Sequence, residues 1–137
     1  MRASLALSFA LVACAGTALA ADPSMQEIMA KDVNPGALAF WAAGNDPPEN
    51  ETPAQAEARW AAALEGARVL QKQGRVIMAG PYTRVGRWNA DAQAMIDLGR
   101  EGEAAVKAKN ADQAFEIGGR LYDACNGCHK TYVPRRE

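Results

Sequence analysis

Between residues 24 and 43 the apolar side chains Met25, Ile28, Met29, Val33, Ala37, Phe40 and Trp41 recur at three- and four-residue steps, the spacing of one helical face. Pro35 is expected to bend or interrupt that helix. The segment GNDPPENE (44–51) reads as a turn-rich linker, after which Thr52 supplies an N-cap and Pro53 a first helical residue. A second helix is predicted to about Gln73, with Ala56, Trp60, Ala63, Leu64, Ala67 and Leu70 on its core face and Gly74 as its stop. Residues 74–88 (GRVIMAGPYTRVGRW) hold three glycines and a proline and read as a long irregular connection, the kind that often carries a function. Asn89 is expected to cap a third helix reaching about Lys109, with Met95, Leu98, Gly102, Ala105 and Val106 inward. Asn110 then caps a fourth that runs to about Val133, ahead of Pro134, a length of about 34 Å. With no convincing alternation of the strand type, the pattern predicts an all-α chain folded as a four-helix bundle.

Composition refines this picture. Thirty of the 137 residues are alanine and only nine are aromatic, which allows close helix packing but leaves few large side chains to fill a core. Something bulky is expected to complete the interior. The formal net charge is −1 and the 15 basic residues are dispersed, so the electrostatic footprint of a nucleic-acid binder is missing.

Met1 to Ala20, MRASLALSFALVACAGTALA, has a basic start, a short apolar run and small residues ending Ala18-Leu19-Ala20, the build of a secretory signal peptide. Cleavage there leaves a single mature domain, 21–137, that starts at Ala21 and carries a formal net charge of −2, since Arg2 departs and no acid does. The apolar run is too short for a stable membrane anchor. Leu11-Val12-Ala13-Cys14 also fits a bacterial lipobox, and in that alternative a lipidated Cys14 would attach the protein to a membrane.

Without the leader, Cys125 and Cys128 are the remaining cysteines, and they stand in Cys125-Asn126-Gly127-Cys128-His129, the attachment pattern of c-type haem. Two thiols at this spacing can each form a thioether to a haem vinyl group, and the adjacent imidazole then ligates the iron. His129 is the sole histidine of the chain. The other uses of such a pair are a disulfide stapling a helical adaptor, a thioredoxin-like redox pair and half of a zinc site. Zinc needs further Cys or His ligands that the sequence lacks, and the redox pair expects a strand and helix context. Phe115, Gly118, Tyr122, Cys125, His129 and Tyr132 share one face at helical spacing, and Gly118-Gly119 suggests close approach by a neighbouring helix or the haem.

An exported four-helix chain ending LYDACNGCHKTYVP resembles the class II c-type cytochromes, cytochrome c′ and its low-spin relatives. The specific likeness lies in Tyr122 to Pro134, with weaker support from MQEIMAKDVNPGALAFW near the mature N-terminus. The resemblance implies a proximal iron ligand at His129, thioethers at Cys125 and Cys128, and a distal side supplied by the N-terminal helix. It departs from the pattern at Val133, where many members carry a basic residue.

Function then turns on the sixth position of the iron. A vacant apolar site binds small gases such as nitric oxide or carbon monoxide, whereas a methionine sulfur fills it and favours outer-sphere electron transfer. Met29 is the favoured distal ligand and Met25 the alternative, because both lie on the apolar face of the first helix and Met25 is nearer the fraying terminus. Met78 falls in the irregular connection, and Met95 reads as core of the third helix. Trp41, Trp60 and Trp88 are candidate pocket walls, and Arg84 and Arg87 candidate partners of a haem propionate. Glu101 and Glu103 point to different helix faces, and no nucleophile, phosphate loop or acid–base constellation appears.

The sequence thus predicts a periplasmic electron carrier with one covalent haem c, and not an enzyme. A five-coordinate gas-binding haem protein is the alternative. The expected partner is a periplasmic redox protein, a homodimer is left open, and no nucleic acid is involved.

Overall fold

The computed structural model describes residues 22–133. The expected signal peptide 1–20 with its Cys14, and Pro134, lie outside the described residues. Four helical stretches make up the fold, and no strand occurs among the described residues. Helix α1 (residues 25–44) is built of three consecutive pieces, Met25–Ile28, a π-helical turn Met29–Val33, and Asn34–Gly44. Helix α2 is Pro53–Ile77, α3 is Trp88–Lys107 and α4 is Ala111–Tyr132.

The starts follow from local chemistry. Ser24 and Thr52 each form a reciprocal capping box, with Glu27 and Gln55 respectively, satisfying amides that a helix N-terminus leaves without partners. The Asn110 side chain accepts from the Gln113 amide at 3.0 Å and opens α4 as the sequence predicts. Regular α-helix is interrupted just before Pro35, as expected, though the helical stretch does not end there. The chain widens its ladder there: the Asn34 amide bonds to the Met29 carbonyl five residues back, and Pro35 enters in the first turn of the Asn34–Gly44 piece, where its missing N–H costs least.

Two boundaries differ from expectation. Gly74 is not a stop, since α2 continues to Ile77. A Cβ at Gly74 would stand 2.5 Å from Ile96 Cγ1 and 3.1 Å from the Ala92 carbonyl, so the glycine serves the close crossing of α2 with α3. Helix α3 begins at Trp88, ahead of Asn89, and its cap position, Arg87, makes no side-chain capping bond. Trp88 is fixed from elsewhere: its buried indole N–H donates to the Ile77 carbonyl at 2.8 Å. The irregular connection accordingly shrinks to residues 78–87 and contains a 3-10 turn, Gly80–Tyr82.

Contacts between helices give the topology. Gly36 faces Gly66 and Val69, and Arg59 reaches the Ala42 carbonyl, so α1 and α2 run antiparallel. Gly74 against Ile96, and Arg68 against Glu103, set the same relation for α2 and α3. Arg120 pairs with Glu101, and Trp88 meets Tyr132, which reverses the chain again into α4. Gly44 lies against Ala114 and Phe115 while Trp41 lies against Gly118, closing α4 onto α1. The result is an up-down-up-down ring of four helices around one apolar core that includes Ile28, Phe40, Leu70, Ile117 and Leu121.

The apolar faces read from sequence are largely the buried ones. Met95, Leu98, Gly102, Ala105 and Val106 are all buried. On α4 the buried stripe is Ala114, Ile117, Gly118 and Leu121, which leaves Phe115 and Tyr122 of the expected face exposed. No helix among the described residues is long and apolar enough to cross a membrane.

Candidate functional site

The antiparallel ring brings the first half of α1, the end of α2, the start of α3 and the end of α4 to the same end of the bundle. A cavity of about 370 Å³ opens there, within the range of ~300–1,000 Å³ usual for small-molecule and cofactor sites. Met29, Val33, Ala37 and Trp41 line it from α1, Ile77 from α2, and Asp91, Ala92 and Met95 from α3. The remaining wall is α4, with Tyr122, Ala124, Cys125, Asn126, Cys128 and His129.

Cys125, Cys128 and His129 therefore share one cavity, and Met29 lines it from α1. The two cysteines are free thiols, half-buried, on adjacent turns of one helix. Burial pushes both thiols above their ordinary pKa, and the nearby Asp91 carboxylate adds to the rise at Cys128 more than the Arg87 guanidinium takes away. They are consequently protonated at neutral pH.

Met29 opens the π-helical turn of α1, a departure from regular helix that recurs at functional sites. Met25, one turn earlier, packs against the core and does not line the cavity. Met95, read from sequence as third-helix core, is buried and also lines the cavity, so the structure offers a second thioether there. Met78 does not line it.

Of the three tryptophans only Trp41 walls the cavity. Its indole N–H donates to the Gly118 carbonyl at 3.0 Å, across the α1–α4 crossing. Trp60 is half-buried on α2 beneath the Arg59 guanidinium, and Trp88 packs edge-on against Tyr132 with ring centroids 4.9 Å apart. The two arginines proposed as propionate partners are engaged elsewhere. Arg84 donates to the Pro81 and Thr83 carbonyls and stacks on Trp88, and Arg87 pairs with Asp91 at 2.8 Å. Glu101 and Glu103 do diverge, Glu101 to Arg120 on α4 and Glu103 to Arg68 on α2.

The 78–87 connection spans the two sides of this end of the molecule. Tyr82 Oη donates to the Pro23 carbonyl at 2.6 Å, beside the start of α1, and Tyr132 Oη donates to the Val85 carbonyl at 2.7 Å, just past His129. One short segment thus ties the helix of Met29 and the helix of His129 to a common support.

Sequence reasoning did not find Asp91. Its side chain is only 5% exposed; Oδ1 accepts from Arg87 Nε, and Oδ2 has no hydrogen-bond partner. A first-turn acid of a helix is ordinarily a solvated residue complementing the helix dipole, so nothing in the local sequence set this one apart.

Comparison with protein-family models, with curated proteins and with solved structures gave no match.

Proposed function

We propose that the chain is a periplasmic monohaem c-type cytochrome that carries single electrons. One observation carries this reading: the two cysteines and the histidine of the Cys125–His129 motif, and Met29 from the far end of the described chain, line one cavity. The residues present fit the group. Both cysteines are protonated thiols, the form that adds S–H across a vinyl double bond with no leaving group, and the alanine-rich walls leave room where larger side chains would have filled the core.

In this reading Cys125 and Cys128 would hold haem c through two thioethers, and His129 and Met29 would ligate its iron. When bound, the haem would supply a one-electron couple for exchange with periplasmic partner proteins. The protein's own contribution is to exclude water with Val33, Ala37, Ile77 and Ala92, and to keep the two ligand-bearing helices at a fixed separation through the Trp41–Gly118 hydrogen bond. Tyr122 lines the cavity and is exposed, and in this reading a partner would approach from its side.

An optical spectrum of the protein matured in the bacterial periplasm, taken in both oxidation states, tests the reading. A low-spin haem c spectrum with poor carbon monoxide binding by the reduced form is expected. A high-spin spectrum with ready carbon monoxide binding assigns the chain to five-coordinate gas binding instead, and a colourless protein removes haem altogether.

A further inference from the structure

Asp91 stands apart from every other buried polar group of the bundle. Gln71, buried to a similar degree, has its amide satisfied by the Ala67 and Gly99 carbonyls and by Glu103. Among the described residues, Asp91 Oδ2 is the one buried side-chain nitrogen or oxygen without a partner. A carboxylate oxygen held out of water with nothing to bond is costly, and a fold keeps such a group where an absent occupant supplies its counterpart. Asp91 lines the cavity that holds Cys125, Cys128 and His129.

Its one partner does not cancel its charge. Arg87 binds Oδ1 from the solvent side and is 66% exposed, whereas the carboxylate is 5% exposed. The guanidinium charge is screened by water; the carboxylate charge is not. In the buried wall of the cavity the pair therefore presents a net negative field from the Asp91 carboxylate.

Resting on the haem reading above, we propose that Asp91 sets the potential of the cofactor: its buried carboxylate, one oxygen of which has no hydrogen-bond partner, stands in the cavity wall and stabilises the oxidised state, which carries one more positive charge than the reduced state. The redox event is a one-electron exchange with the partner protein. Its role is electrostatic and not ligation.

The test is a spectroelectrochemical titration of the matured wild type, Asp91→Asn and Arg87→Gln, preceded by mass spectrometry of each denatured protein to establish covalent haem. Asp91→Asn keeps the shape and removes the charge. It is expected to raise the ferrous-to-ferric ratio at a fixed ambient potential about tenfold, a rise of about 59 mV for one electron. Arg87→Gln unmasks the carboxylate further and is expected to shift the potential the other way, by less, with the spectrum unchanged. Shifts of the same sign in both variants, or none in either, overturn the assignment. Should Asp91→Asn fail to mature, a lower potential in Arg87→Gln supports the assignment, and an unchanged or higher one overturns it. A wild type without covalent haem is recognised at the mass step and overturns the haem reading, and this inference with it.

Discussion

Trp41 and Gly118 are joined across the bundle: the indole N–H meets the glycine carbonyl at 3.0 Å, and the ring occupies the space that a side chain at position 118 would take. The contact links the helix of Met29 to the helix of the cysteines one turn before Tyr122. It also explains half of the glycine pair in α4. A Cβ at Gly118 would lie 2.8 Å from Trp41 Cδ1, while one at Gly119 would meet nothing within 4 Å.

The two glycines should therefore respond oppositely to the same substitution. Gly118→Ala forces the indole aside and is expected to destabilise the fold by about 1–3 kcal/mol. Gly119→Ala only removes backbone freedom from an exposed helical site and is expected to stabilise by about 0.5–1 kcal/mol. Chemical denaturation of both variants checks the pair, and equal effects would contradict the packing described.

Legibility in the sequence followed the physics of each signal. The apolar stripe of α1, the Thr52 and Asn110 caps and the four-helix count were readable because periodicity and capping are local. Gly74 was misread because a glycine that ends a helix and one that lets two helices cross look alike until the neighbour, here Ile96, is known. Met95 was assigned to the core and lines the cavity as well, since one helical face serves both near the end of the bundle. Asp91 was invisible because a first-turn acid ordinarily reads as a solvated residue, and its burial appears only in the folded bundle.

Glu103 gives a pH signature independent of the cavity. Its carboxylate accepts from Lys107 and Gln71 and pairs with Arg68, which holds its pKa at about 2, below the ordinary 4.5. A depressed carboxylate contributes stability that is complete above pH 4.5 and is lost as pH falls toward 2. Glu103→Gln is expected to cost about 1 kcal/mol at pH 7, with the gap to wild type closing in acid. Denaturation midpoints at pH 7, 4 and 2.5 measure it, and a gap independent of pH would contradict the assignment.

The methionines separate the two haem readings. Met29→Ala is expected to abolish the weak far-red sulfur-to-iron band of the oxidised protein, open the iron to carbon monoxide and lower the potential, because a thioether ligand favours ferrous iron. Met25→Ala, whose side chain is outside the cavity, should leave the band intact. Loss of the band in Met95→Ala alone would move the ligand to α3 and preserve electron transfer.

The central claim is that Cys125 and Cys128 bind haem covalently, and intact-mass spectrometry of the denatured, periplasmically matured protein tests it most directly. The account predicts the mass of the chain from Ala21 plus one haem, colour that survives acid-acetone extraction, and no thiol left to titrate, with Cys128→Ala giving little matured protein. A mature chain at its bare polypeptide mass, with two titratable thiols or a disulfide at Cys125 and Cys128, would contradict it.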